Sequence, residues 1–116
     1  MKKFSYRPLP EYLTIDRSDI EGIGLHAKAD IKAAWYIGKT HYFINDGWIR
    51  TPLGGFINHS DKPNCVIIDN KISDMIIREL WTVRPIGLGD ELSVYYTLDE
   101  DTTYDMAMRF KERTIW

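Results

Sequence analysis

"GGFINHSDKPNC", residues 54–65, packs two glycines, an Asn-His pair, a serine, a proline and the chain's single cysteine into one short stretch. A buried strand would not carry so many polar residues, and an ordinary turn would not need Phe56 and Ile57 ahead of Asn58 and His59. Asn58 offers one amide acceptor and two donors, and His59 a ring with two distinct nitrogens. Both can bond backbone or a polar ligand, and for His59 taken alone a structural role is the ordinary reading. Ser60 suits a cap, and Asp61 and Pro63 suit a turn. A Ser-His-Asp hydrolase fails on pattern: the adjacent His59 and Ser60 side chains point apart, and no G-x-S-x-G elbow occurs.

The whole chain bounds what this segment can belong to. Its 116 residues, 44% of them apolar, suffice for one small domain with a thin core. The net charge of -2, with no basic run, argues against nucleic acid as a main partner. One cysteine excludes an internal disulfide and a Cys-rich zinc cluster, so no metal is expected. Cys65 reads first as a small, half-buried apolar residue. The start "MKKFSYRPLPEYL" lacks an apolar h-region, and no apolar run approaches the ~20 residues of a membrane span. No membrane partner and a cytoplasmic location are the expectations.

The expected architecture is mainly β with little helix, in one domain over residues 1–116. Pro8 and Pro10 make residues 1–11 an extended arm. "YLTID" alternates as a strand, and Leu25 and Ala27 continue a strand after the glycines of "GIG". "WYIGKTHYFI" reads as a strand with a possible bulge at Gly38, "NDG" as a hairpin turn, and "WIRT" as the return, ended by Pro52. "CVIID" reads as a short buried strand followed by a turn at Asn70–Lys71. "MIIRELWTVRPI" is the longest strand, with Ile77, Glu79 and Trp81 on one face and Arg78 and Leu80 on the other. "GLGDE" turns the chain and "LSVYYTL" closes the strands. "TTYDMAMRFKER", residues 102–113, is the one good helix candidate, capped by Asp101 or Thr102 and basic at its end.

Three weak signals gain meaning from their order. "GIG", residues 22–24, lacks the third glycine and following helix of a dinucleotide fingerprint, so it offers only close backbone approach. "DELSVYY", residues 90–96, sends Tyr95 and Tyr96 to opposite faces of a strand end. "IEGIGLHAKADI", then "FINHSDKPNC", then "GDELSVYY" resembles, in that order, the SET-domain family of protein lysine methyltransferases, from about Leu13 to Tyr96. Minimal viral and bacterial members of that family are about this size, and such a source is expected.

The resemblance implies a fold of several short-stranded sheets, with the C-terminal segment 97–116 threaded beneath the N-H-S loop as a pseudoknot. It implies S-adenosylmethionine as cofactor, S-adenosylhomocysteine as product and a lysine of a protein substrate as acceptor. Asn58 and His59 would hold the cofactor's amino group and adenine edge, and Ile23, Gly24 and Leu25 would touch it by backbone. Tyr96 matches the family's active-site tyrosine. Tyr104 would cover the adenine, with Phe110 and Trp116 as later alternatives, and Tyr42 would be a second channel tyrosine, with His41 competing.

The sequence departs from the family pattern at Asp61, His26, Tyr95 and Gly55. The segment between "THYFI" and "GGFINHS" is short, which removes most of one wall of the peptide groove. A homodimer or the C-terminal helix would complete it. The alternative reading is a non-catalytic SET-fold module that binds the cofactor or a protein partner.

Overall fold

The computed structural model describes residues 8–95. Tyr96, Tyr104, Phe110, Trp116, the helix expected over 102–113 and the pseudoknot segment lie outside the described residues.

The chain runs through β1 (Leu13–Arg17), β2 (Ile23–Ala27), β3 (Tyr36–Ile44), β4 (Gly47–Arg50), α1 (Pro52–Gly55), β5 (Asn58–His59), β6 (Cys65–Ile72), β7 (Met75–Thr82) and β8 (Ser93–Val94). These form an antiparallel β1–β2 pair, an antiparallel sheet in the order β4-β3-β7-β6, and a parallel β5–β8 pair. The branched and aromatic residues that suggested strands do form them, and helix among the described residues is confined to the four residues of α1.

Local chemistry sets the boundaries. Asn45 and Asp46 both take positive φ, 52° and 63°, as a two-residue hairpin between β3 and β4 requires. The pairing of β3 with β7 slips between Tyr36 and Gly38, which places the irregularity expected at Gly38. Thr51 caps α1 by accepting from the Gly54 N–H at 3.3 Å. A Cβ at Gly54 would run into the Thr40 carbonyl, so only glycine lets α1 press against β3.

Two expectations need correction. The turn after "CVIID" is not at Asn70–Lys71. Those residues stay in β6, opposite Ile77 and Ile76, and the chain reverses after Ile72, with Ser73 at φ 55°. The long β7 ladder outweighs the turn preference of Asn70. "LSVYYTL" contributes only Ser93–Val94 as strand within the described part.

The core is built where β2, β7 and the segment 86–94 meet. Leu25, Leu80 and Leu92 are fully buried there, with Ile86, Val94, Ile57 and Leu53 around them. Each such side chain contributes about 1.5–3 kcal/mol through burial. Ile31 and Ile86 exchange backbone bonds, Ala27 N–H donates to the Asp90 carbonyl, and Leu92 N–H donates to the Leu25 carbonyl. Residues 86–92 are thereby laid along the edge of β2. Cys65 is completely buried, and burial pushes its thiol up to about 12, so it is packing material rather than a nucleophile.

Candidate functional site

The opening stretch is not a simple loop. Asn58 pairs with Ser93 and His59 with Val94 in parallel register, and the Ser60 N–H donates to the Val94 carbonyl at 2.8 Å. Ile57 just before them is in the core, and Phe56 packs against it. Asn64 closes the segment from its other end. Its amide nitrogen donates to the Glu91 carbonyl at 2.8 Å, and its amide oxygen accepts from the Ser93 N–H at 2.8 Å. Residues 58–64 and 91–94 thus form one laced unit beside β2.

Four acceptors converge on the Asn58 amide nitrogen. They are Glu91 Oε2 at 2.9 Å, Ser18 Oγ at 3.0 Å, the Glu21 carbonyl at 3.1 Å and the Ile23 carbonyl at 3.3 Å. An amide has two hydrogens, so it cannot satisfy all four at once. Ser18 Oγ also donates to the Glu91 carboxylate at 2.8 Å and accepts from the Ile20 and Glu21 N–H groups. Among the described residues no cation pairs with Glu91. The result is an acceptor-rich, negatively charged cradle, suited to an ammonium group. Gly24 forms its floor, where a Cβ would collide with the Glu91 carboxylate.

Beside the cradle, the His59 ring lies 4.8 Å from the Tyr95 ring, tilted by 46°. His59 Nε2 is 3.4 Å from Asp61 Oδ1. His26, the departure from an aromatic residue, sits opposite Glu91 in a β-bridge, with its Nδ1 3.2 Å from the Gly24 carbonyl.

The structure therefore brings Ile23, Gly24, Asn58 and His59 together. Leu25 adjoins them in sequence, but its side chain is core and its carbonyl already accepts from Leu92. Tyr42 is elsewhere: on β3 it opposes Ile49 and Ile77 and lines an open groove of about 680 Å³ with Tyr36, Ile49 and Pro8–Glu11. Tyr36 in that groove has its phenol pushed upward by burial and by Glu79. The sequence did not mark Ser18, Glu91 or Asn64 as site residues, and it marked Tyr95 only as a departure from the family pattern. The parallel β5–β8 register that gathers three of them joins residues 35 apart, which no local pattern reports.

A Plasmodium falciparum protein of solved structure, assigned as a histone methyltransferase, superposes with a TM-score of 0.64, over 79% of this chain and 98% of that one, at 20% identity. The chain has the SET fold. A humanized mutant of the Chaetomium thermophilum Polycomb Repressive Complex 2, solved with an inhibitor, shares the SET fold over 72% of this chain and 15% of its own, with a TM-score of 0.60 and 18% identity. In sequence, an H3 lysine-36-specific histone-lysine N-methyltransferase of Chaetomium globosum is 31% identical over 72 residues, 62% of this chain. The chain spans 8% of the length of that curated relative. No family model matches the chain.

Proposed function

We propose that this SET-fold chain is an S-adenosylmethionine-dependent methyltransferase acting on a lysine amine of a protein. The observation that carries the reading is the acceptor cradle around the Asn58 amide. The Glu91 carboxylate and the Glu21 and Ile23 carbonyls form an acceptor set that the α-ammonium of an amino-acid cofactor can share. The missing side chain at Gly24, which lets the Glu91 carboxylate approach the backbone, and the tilted His59–Tyr95 ring pair next along the chain from Asn58 are compatible with the same ligand.

S-adenosylmethionine, when bound, supplies a sulfonium methyl for in-line displacement and leaves as S-adenosylhomocysteine. The residues of this chain then have three tasks. Glu91 and the Ile23 carbonyl hold the ammonium, with Asn58 positioned by Ser18. His59 offers a ring nitrogen to the adenine edge. Tyr96 is assigned the hydroxyl that orients the acceptor amine without covalent chemistry, since a phenol of pKa about 10 is a poor base at neutral pH. The acceptor lysine must be neutral. With an ordinary pKa of about 10.4, deprotonation at pH 7 costs about 4.6 kcal/mol. A dry channel lowers this cost by disfavouring the ammonium form. Alignment of the reacting atoms supplies the entropic part of the rate.

The test is a calorimetric titration with S-adenosylmethionine and S-adenosylhomocysteine, followed by transfer of a labelled methyl group to proteins of a cell lysate. Binding with a labelled protein band is the expected outcome, and Tyr96→Phe should lower turnover far more than cofactor affinity. Binding without any transfer would favour the non-catalytic module. Absence of binding would remove the reading altogether.

A further inference from the structure

The far end of the four-stranded sheet carries charge that the cofactor site does not use. Pairing places Arg50 of β4, His41 of β3, Arg78 of β7 and Asp69 of β6 in one cross-strand row. The adjacent row holds Trp48, Phe43, Ile76 and Lys71. Both rows continue the face that buries Leu80 and Ile67, but here the sheet has outrun the core. Trp48 is 44% exposed and Arg50 is exposed.

The arrangement concentrates cations near β4. The Arg78 guanidinium reaches across β3 and stacks 4.0 Å from the Trp48 ring centroid, while its Nε bonds Asp69 Oδ1 at 3.1 Å. That geometry leaves its terminal nitrogens for another acceptor. Arg50 forms no ion pair among the described residues. Among the described residues the face holds Arg50, Arg78 and Lys71 against the carboxylate of Asp69, and the acids Asp46 and Asp74 lie at the hairpin tips beyond it. His41 reports the resulting field. Burial lowers its pKa first, Arg78 and Arg50 lower it further, and Asp69 opposes them.

We infer that this cationic-aromatic face docks an acidic peptide segment, with carboxylates on Arg50 and Arg78 and apolar contact on Trp48. Charge complementarity selects this occupant. A single-stranded nucleic acid fits less well, because Arg78 already covers Trp48 and the chain as a whole is acidic. The chain leads from the face toward the functional site: β4 runs through α1 into Asn58, and a Cβ at Gly55 would lie 3.8 Å from Arg50 Nε. The inference deepens the functional reading, on which it rests for one point, namely that the docked segment is an acidic flank of the methyl-accepting protein.

The experiment is fluorescence anisotropy of a labelled poly-glutamate peptide against the full chain, with poly-glutamine and oligothymidylate as competitors. Poly-glutamate should bind, and poly-glutamine should not displace it. Arg50→Glu should weaken binding about tenfold, the scale of one charge-assisted contact, with an unchanged circular dichroism spectrum. Asp69→Asn should tighten it about two- to threefold by freeing Arg78. Affinity unmoved by both substitutions would overturn the inference. So would oligothymidylate binding more tightly than poly-glutamate, or self-association abolished by Arg50→Glu with no peptide binding. A parallel S-adenosylmethionine titration separates the two readings. Peptide binding without cofactor binding removes the methyltransferase reading and leaves the docking surface intact.

Discussion

Asn64→Ala removes both side-chain bonds that lace the 58–64 segment to Glu91 and Ser93. The Ser93 N–H loses its acceptor, and Ser93 is 5% exposed, so water replaces that bond poorly. An unsatisfied buried donor costs about 1–3 kcal/mol. The Glu91 carbonyl loses a donor at 2.8 Å, an ordinary bond of about 1 kcal/mol. The expected loss is about 2–4 kcal/mol, a large fraction of the 5–15 kcal/mol typical of a domain. Urea unfolding followed by circular dichroism measures it, as a lower midpoint at unchanged slope. Asn64→Asp is the control: it keeps the acceptor for Ser93 but turns a carboxylate oxygen toward the Glu91 carbonyl, so it too should destabilise. Cofactor affinity should fall with Asn64→Ala even under folding conditions, because Glu91 and Asn58 are positioned through this lacing. A stability change below about 0.5 kcal/mol, with unaltered cofactor affinity, would refute the claim that Asn64 organises the site.

Glu91→Gln should weaken cofactor binding by about ten- to a hundredfold in a calorimetric titration, because it removes the carboxylate charge from the cradle. Gly24→Ala should leave thermal stability nearly unchanged, since the flexible end of Glu91 can move aside, while cofactor affinity falls with the displaced carboxylate. The pH dependence of stability should carry a His41 component. Its folded pKa lies below the ordinary 6.5, so the unfolded chain binds the proton more readily and stability declines as pH drops below that value. Urea midpoints measured across this range should flatten in His41→Gln. Cys65 should resist thiol reagents in the native protein and react only on unfolding, as stopped-flow labelling in denaturant would show.

Much of the strand pattern was legible because it is local. Alternation marked β1 and β7, aromatic and branched content marked β3, and Asn45–Asp46–Gly47 marked the hairpin after β3 through the positive φ that these residues tolerate. The turn after β6 was misplaced because Asn70 signals a turn locally, while an eight-residue ladder with β7 keeps it extended. α1 was missed because a four-residue helix has no periodicity to read, and it exists through the Thr51 cap and the glycine that fits it against Thr40.

The same division runs through the site. The order of "GIG", "FINHSDKPNC" and "DELSVYY" pointed to Asn58, His59 and the glycine that would approach a ligand. That order determined the fold and the class of ligand to look for. Tertiary structure alone decided that Glu91 and Ser18 would meet at the Asn58 amide, that Asn64 would hold them there, and that Tyr42 would stand on a different sheet. The reason is physical. A parallel pairing such as β5 with β8 joins residues from distant parts of the chain, and its register is set by burying Ile57, Leu92 and Val94 together. No residue in the chain states that register by itself.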